Sequence, residues 1–133
     1  MLKKGVLVVG LVLATCYTTP VISKGWAEQV KLGEKVFRKC VSCHSTTKNK
    51  MGPSLENLFG RTAGTVEGYK YSKAMRNSEI VWNEETLKKF LKKPSKFIKG
   101  NKMRFRGIRK ERRIDALIAY LKLKLEFEAL KIE

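Results

Sequence analysis

The chain has 133 residues, 43% of them hydrophobic, which is within the usual range of one globular domain, so we expect a single core. Lysine and arginine outnumber aspartate and glutamate by 29 to 12, so the formal net charge is +17. This charge argues for an acidic protein surface, nucleic acid or anionic lipid as a partner, and charge alone cannot choose among them.

Residues 1–23 have the pattern of a secretory signal. A basic start precedes an apolar run from Gly5 to Tyr17, and Pro20 to Ser23 offers a small-residue cleavage site. The run is shorter than the roughly 20 residues that span a bilayer, although retention as a membrane anchor and lipidation at Cys16 stay open. We therefore expect an exported, periplasmic protein whose mature domain covers residues 24–133.

Hydrophobic periodicity in the remaining chain predicts helices joined by loops. The clearest start signal is Asn83, a residue suited to the N-cap, with Glu84 and Glu85 in the first turn of a helix that ends before Pro94. The other expected helices cover residues 26–39, 72–77 and 111–133, and the expected loops cover residues 45–71 and 95–107. These segments predict an all-α domain.

Cys40-Val41-Ser42-Cys43-His44 is the arrangement for covalent attachment of haem, because two thiols add to two vinyl groups and the adjacent imidazole reaches the iron. A disulfide or thioredoxin-type redox pair would expect a strand before the motif and would leave His44 without a role. A structural zinc site would need four cysteine or histidine ligands, whereas the chain beyond the leader offers three. The motif therefore predicts one haem c, attached at Cys40 and Cys43 and ligated by His44.

The second axial ligand of the iron must be another residue type or water, because His44 is the only histidine. Met51 lies only seven residues beyond His44, and Met75 lies in an expected helix. Met103 lies in an expected loop far along the chain, which can fold over the opposite face of the haem. Filling a gap in the core is the commoner fate of a methionine, so position alone leaves Met103 an open candidate.

Further motifs flank the haem-attachment segment in a fixed order. They are Gly33 to Phe37, Gly52 to Leu55, Leu58 to Gly64, Tyr69 to Ser72, Trp82 to Leu87, Lys102 to Phe105 and Leu117 to Leu121. Through these motifs the chain from about Gly33 to Lys122 resembles the class I cytochromes c, specifically the soluble mitochondrial and bacterial c2-like type. The resemblance implies short helices and loops wrapped around one haem, with the N- and C-terminal helices crossing.

The resemblance also implies roles for individual residues. Met103 would be the sixth iron ligand, and the carbonyl of Pro53 would accept a hydrogen bond from His44, which fixes the imidazole and raises its basicity. A buried haem propionate must be paired or hydrogen-bonded. The residues that would satisfy it are Arg61, Tyr71 and Trp82.

The terminal helices should cross where Gly33 and Phe37 pack against Leu117 and Tyr120, since glycine permits a close approach. Three positions depart from the family's pattern and would hold the Met103 loop less firmly. They are Phe90 in place of a common tyrosine, Met75 in place of a common asparagine and Lys99 in place of a common proline.

The resemblance implies a one-electron carrier rather than an enzyme, because a six-coordinate haem has no open position for substrate. The expected route runs from a quinol:cytochrome c reductase of the bc1 type to a terminal cytochrome c oxidase. The alternative is a haem enzyme with peroxidase activity or a gas sensor, which would require Met103 to dissociate. We expect a monomer that does not bind nucleic acid, with peripheral contact to an anionic membrane left open. Acidic redox partners should meet a ring of lysines, namely Lys39, Lys48, Lys50, Lys96 and Lys102.

Overall fold

The computed structural model describes residues 24–131, so the expected leader over residues 1–23, including Cys16, lies outside the described residues. The described chain contains the helices α1 Lys24–Phe37, α2 Lys73–Arg76, α3 Glu84–Lys92, α4 Pro94–Phe97 and α5 Glu111–Ala129. Its β-type pairing is an isolated antiparallel bridge between Thr62 and Val81. Across residues 24–131 the fold is therefore all-α, as the sequence predicts.

Helices α1 and α5 cross at Gly33. An added Cβ at Gly33 would lie 2.0 Å from the carbonyl oxygen of Ala116 and 2.6 Å from the Cβ of Tyr120, so only glycine permits this approach. The Phe37 and Tyr120 rings pack with centroids 5.4 Å apart, and Leu117 is 1% exposed. The expected crossing of the terminal helices is confirmed, and it closes the core on one side.

Helix α3 begins after Asn83 and ends before Pro94, as predicted. The Asn83 Oδ1 accepts a hydrogen bond from the Thr86 backbone N–H at 2.9 Å, and the Thr86 hydroxyl accepts one from the Asn83 N–H at 2.9 Å. This reciprocal pair stabilises the start of the helix by satisfying N–H groups that would otherwise lack partners. The side chains that α3 buries in the core are Leu87, Phe90 and Leu91.

Helix α4 shows that the expectation of a loop over residues 95–107 is wrong at its start, because Pro94–Phe97 is helical. Pro94 occupies the first helical position, where a missing N–H costs nothing. The Asn101 amide joins this helix to the next segment: its Nδ2 donates to the Pro94 carbonyl at 2.8 Å, and its Oδ1 accepts from the Met103 N–H at 2.8 Å. The rest of the segment is a loop, as predicted.

Helix α5 continues beyond its crossing with α1 to Ala129, and residues 132–133 lie outside the described residues. Its last turns carry the exposed apolar side chains Leu123 and Phe127, and the exposed Leu130 follows directly after the helix. The Nζ of Lys131 lies 4.7 Å from the centroid of the Phe127 ring. In the described part of the chain, no helix combines the length and hydropathy needed to cross a membrane.

Candidate cofactor site

The Cys40–His44 segment extends α1 by further turns. The His44 backbone N–H donates to the Cys40 carbonyl at 2.8 Å, and the Cys43 N–H donates to the same carbonyl at 3.1 Å. Both cysteines are free and half-buried. A helix rather than a strand leads into the motif, which disfavours the thioredoxin-type alternative. The local turns therefore place both thiols and the imidazole close together.

The Cys40 thiol lies in a part-buried environment. Burial, with a smaller contribution from neighbouring Cys43, raises the pKa of the Cys40 thiol to about 11. The free Cys40 side chain is therefore a neutral thiol at neutral pH. The raised pKa reflects the part-buried, apolar surroundings of this thiol.

The imidazole of His44 is held by the backbone of Gly52 and Pro53. Its Nδ1 lies 2.8 Å from the carbonyl oxygen of Pro53, which can only accept, so Nδ1 carries the proton and Nε2 keeps its lone pair. An added Cβ at Gly52 would lie 2.6 Å from the His44 Cε1 and 2.9 Å from Nε2, so the ring rests against the glycine backbone. Burial lowers the pKa of His44, partly opposed by the Pro53 hydrogen bond. The ring is therefore neutral and oriented as a metal ligand requires.

Two adjoining cavities, of about 340 and 110 Å³, lie beside this imidazole. The larger one opens between basic side chains, and the smaller one reaches into the apolar core. The residues that line both are Cys40, His44, Tyr71, Met75 and Met103. A flat apolar group with acidic substituents fits this space, because its ring would lie among the apolar side chains and Arg61, on the wall of the smaller cavity, supplies a positive charge for a substituent. The residues present therefore fit a haem.

Three methionines lie near these cavities. Met103 is half-buried and reaches the wall of both cavities from the loop that the Asn101 side chain holds. Met75 is buried in α2, with its backbone N–H held by the Ser72 hydroxyl at 3.1 Å. Met51 is 76% exposed at the rim, where its sulfur lies 3.8 Å from the Cys43 Sγ. Geometry therefore leaves Met103 and Met75 as the thioethers inside the site.

Arg61, Tyr71 and Trp82 all line the smaller cavity, so the structure brings these expected propionate ligands together. Arg61 donates hydrogen bonds to the carbonyl oxygens of Glu56 and Ser54, the latter at 3.0 Å. Burial lowers the pKa of Arg61 and raises that of Tyr71, while the positive charge of Arg61 partly opposes the shift at Tyr71. Contact of these three side chains with a propionate stays a prediction.

The five ring lysines do not lie equally near the cavities. Lys39 and Lys102 line the mouth of the larger cavity. The Lys50 Nζ donates to the Val41 carbonyl at 2.6 Å. Lys48 and Lys96 are exposed but do not line this cavity. Sequence reasoning missed a third cation at the mouth, Arg104, whose signal is the alternation of charged and apolar residues from Lys102 to Gly107.

Comparison with known proteins identifies the class of the chain. The family model described as cytochrome c matches residues 30–123. A cytochrome c2 of Blastochloris viridis is 46% identical over 99 residues, and the match covers 72% of this chain and 78% of the relative. A cytochrome c of Sesamum indicum is 48% identical over 97 residues, and the match covers 70% of this chain and 87% of the relative. The solved structure of cytochrome cH from Methylobacterium extorquens is 40% identical with a TM-score of 0.68, covering 71% of this chain and 97% of its own.

The chain therefore belongs to the cytochrome c family, as a class I member of the c2-like type. This family carries haem c bound through two thioethers, and Cys40 and Cys43 stand at the positions of its attachment motif. Its relatives support a role in electron transport for this chain.

Proposed function

We propose that the protein carries single electrons in the periplasm from a quinol:cytochrome c reductase of the bc1 type to a terminal cytochrome c oxidase, with His44 and Met103 as axial ligands of the haem iron. The observation that carries the proposal is the placement of the neutral His44 imidazole and the Met103 thioether on the walls of the same two cavities. A haem iron with two such ligands exchanges one electron and has a raised potential.

The side chains around the ligands support electron transfer over catalysis. Pro53 keeps the His44 ring in one orientation, so little rearrangement accompanies a change of charge. Arg61 supplies a fixed positive charge on the wall of the smaller cavity. A peroxidase or gas sensor would need an open position on the iron and a distal acid–base group, and the sequence has no second histidine to supply one.

Partners and location follow from charge and from the N-terminal residues. The cations at the mouth of the larger cavity favour an acidic protein surface as the electron donor or acceptor. The signal-like pattern of residues 1–23 supports export. We further propose a monomer whose haem-bearing domain meets membrane complexes as a diffusing partner, with at most peripheral contact to an anionic lipid surface.

The ligand assignment is tested by the absorption spectra of the oxidised holoprotein and of Met103→Ala. We expect the wild type to have the sulfur-to-iron charge-transfer band at the red end of the visible spectrum, and Met103→Ala to lack it. Met75→Ala is the matched control, because Met75 lines the same cavities, and it should retain the band. Absence of the band in the wild type, or its loss in Met75→Ala and survival in Met103→Ala, would reject the assignment.

A further inference from the structure

Met51 differs from the other methionines of residues 24–131 in its exposure to solvent. Its side chain is 76% exposed, whereas Met75 is 8% exposed and Met103 is half-buried. A methionine that fills a gap in the core has to be buried, so Met51 does not have this common role. Its thioether sulfur is instead accessible to dissolved reagents, and oxidants are the reagents with which a thioether reacts.

The backbone around Met51 holds the side chain at the surface. The Met51 carbonyl accepts a hydrogen bond from the Tyr69 hydroxyl at 2.8 Å. The Lys50 N–H donates to the Gly52 carbonyl at 2.9 Å, and the Gly52 N–H donates to the Cys43 carbonyl at 2.7 Å. A backbone movement that buried Met51 would break these hydrogen bonds. The exposure of the thioether is therefore a consequence of the fold.

Met51 also lies beside an atom through which the cofactor is attached. Its Sδ is 3.8 Å from the Cys43 Sγ, and both residues line the larger cavity. The Cys43 sulfur is one of the two atoms that form thioether bonds to haem c in this family. A change in the polarity of the Met51 side chain is therefore a change in the immediate surroundings of the haem.

Oxidation of a thioether produces such a change in polarity. A methionine sulfur that takes up one oxygen atom becomes a sulfoxide, which is polar where the thioether is apolar. The reduction potential of a haem depends on the polarity of its surroundings. Because the oxidised iron carries one more positive charge than the reduced iron, added polarity stabilises the oxidised state and lowers the potential.

We propose that Met51 is a reversible modification site, at which oxidants that transfer one oxygen atom lower the reduction potential of the haem. With hypochlorous acid, the sulfur loses two electrons and gains the oxygen atom, while the chlorine is reduced to chloride and a proton is released. Methionine sulfoxide reductases restore the thioether with two electrons from a dithiol, and the oxygen leaves as water. The proposal rests on the proposed electron-carrying function, because the potential decides with which partners the haem exchanges electrons.

The test treats the full haem-loaded protein with an equimolar amount of hypochlorous acid. Peptide mass spectrometry measures the sulfoxide at each methionine, and we expect Met51 to carry most of it. A redox titration of the protein oxidised at Met51 should give a lower midpoint potential than the untreated protein. Methionine sulfoxide reductase should restore the original potential. Retention of the sulfur-to-iron charge-transfer band verifies that Met103 is unmodified.

Met51→Leu/Leu130→Met is the matched control, because it keeps the composition and moves the exposed thioether to a position that is 67% exposed and does not line the larger cavity. Its oxidation at position 130 should leave the potential unchanged.

As much sulfoxide on Met75 or Met103 as on Met51, or a potential that oxidation of Met51 leaves unchanged, overturns the proposal. An equal shift in the control variant also overturns it, because the effect would not depend on the place beside Cys43. A wild type without the charge-transfer band rejects the proposed Met103 ligation instead, and the distribution of sulfoxide and the potential still decide the proposal for Met51.

Discussion

The Nδ1 of His44 donates a hydrogen bond to the carbonyl oxygen of Pro53 at 2.8 Å, and the imidazole lies directly against the backbone of Gly52. The Gly52 N–H in turn donates to the Cys43 carbonyl at 2.7 Å. The segment of Gly52 and Pro53 thus forms a wall that sets the position and the tautomer of the imidazole. Gly52 and Pro53 therefore orient the proposed ligand through their backbone atoms alone.

Replacing Gly52 with alanine should displace the imidazole, because the new methyl group would lie 2.6 Å from the His44 Cε1. Overpacking of this kind costs about 1–3 kcal/mol of unfolding free energy. If His44 is the iron ligand, as proposed, the displaced ring should also weaken that bond and alter the reduction potential. Denaturant unfolding and redox titration of the holoprotein measure the two effects. A Gly52→Ala protein with wild-type stability and potential would contradict the tight packing.

Replacing Gly33 with alanine should push α1 away from α5, because its methyl group would lie 2.0 Å from the Ala116 carbonyl oxygen. The obstacle is backbone, so the helices must separate, and we expect a loss of at least the roughly 1–3 kcal/mol typical of overpacking. Gly25→Ala is the control on the same helix, where an added Cβ meets nothing within 4 Å. It should be neutral or stabilising by up to about 1 kcal/mol, since alanine favours helix. Thermal unfolding measures the stability of both variants. Similar midpoints for Gly33→Ala and Gly25→Ala would refute a tight crossing of the helices.

The contrast between α3 and α4 shows which helices a sequence predicts. The start of α3 is set by bonds between Asn83 and Thr86, and such local signals are visible in the sequence. Helix α4 is four residues long and depends on burial of Pro94 and on the amide of Asn101, seven residues away. Hydrophobic periodicity does not report such a contact, so the proline predicts only the end of the preceding helix.

The cofactor site also contains some residues that local sequence signals predict and others that they do not. Cys40, Cys43 and His44 are predictable because one short turn brings them together. The positions of Met75 and Arg104 on the cavity wall depend on how α2 and the Met103 loop fold over the site. The alternation from Lys102 to Gly107 indicates that Arg104 is exposed, but no short-range pattern indicates that these segments lie beside His44. The expectation that Met103 is a ligand came from the resemblance to a family.

The ion pair between Glu84 and Lys122 joins α3 to α5 and should make stability depend on pH. Hydrogen bonding and charge from Lys122 lower the pKa of Glu84 in the folded protein. Because the pKa of Glu84 is lower in the folded state than in the unfolded state, its ionised form stabilises the fold at pH values above the unfolded-state pKa of about 4.3. This stabilisation is lost as the pH falls through the folded-state pKa. We therefore expect Glu84→Gln to lower the thermal midpoint at pH 6–7, by an amount that shrinks below about pH 4 and at high salt.

Glu126→Gln is the control for Glu84→Gln, because it removes the same charge from a residue without a salt bridge in the described chain. Near neutral pH, Glu126→Gln should lower the thermal midpoint less than Glu84→Gln does. Lys122→Gln separates the ion pair from the favourable position of Glu84 at the first turn of α3, and should reproduce the pH-dependent loss. Equal pH profiles for Glu84→Gln and Glu126→Gln would exclude a specific pair.

The uneven placement of the ring lysines predicts that charge reversal near the cavity mouth slows association more than reversal elsewhere. Lys39 lines the mouth, whereas Lys131 lies against Phe127 on the last turn of α5. Lys39→Glu and Lys131→Glu change the net charge equally, so any difference in rate reports position rather than total charge. Exposed charges are screened beyond about 8 Å at physiological ionic strength, so only charges near the contact retain their effect in salt.

The rate to measure is that of bimolecular electron transfer to a soluble, acidic copper-binding domain of a cytochrome c oxidase. We therefore expect Lys39→Glu to reduce this rate several-fold at low ionic strength, and Lys131→Glu to change it much less. The two rates should converge as salt rises. Lys96→Glu tests the extent of the surface, since Lys96 is exposed on α4 but does not line the cavity, and its effect should lie between the other two. Equal slowing by all three variants would mean that the positive charge acts as a whole. The mouth would then have no special part in recognition, and the excess of lysine would serve only general attraction or solubility.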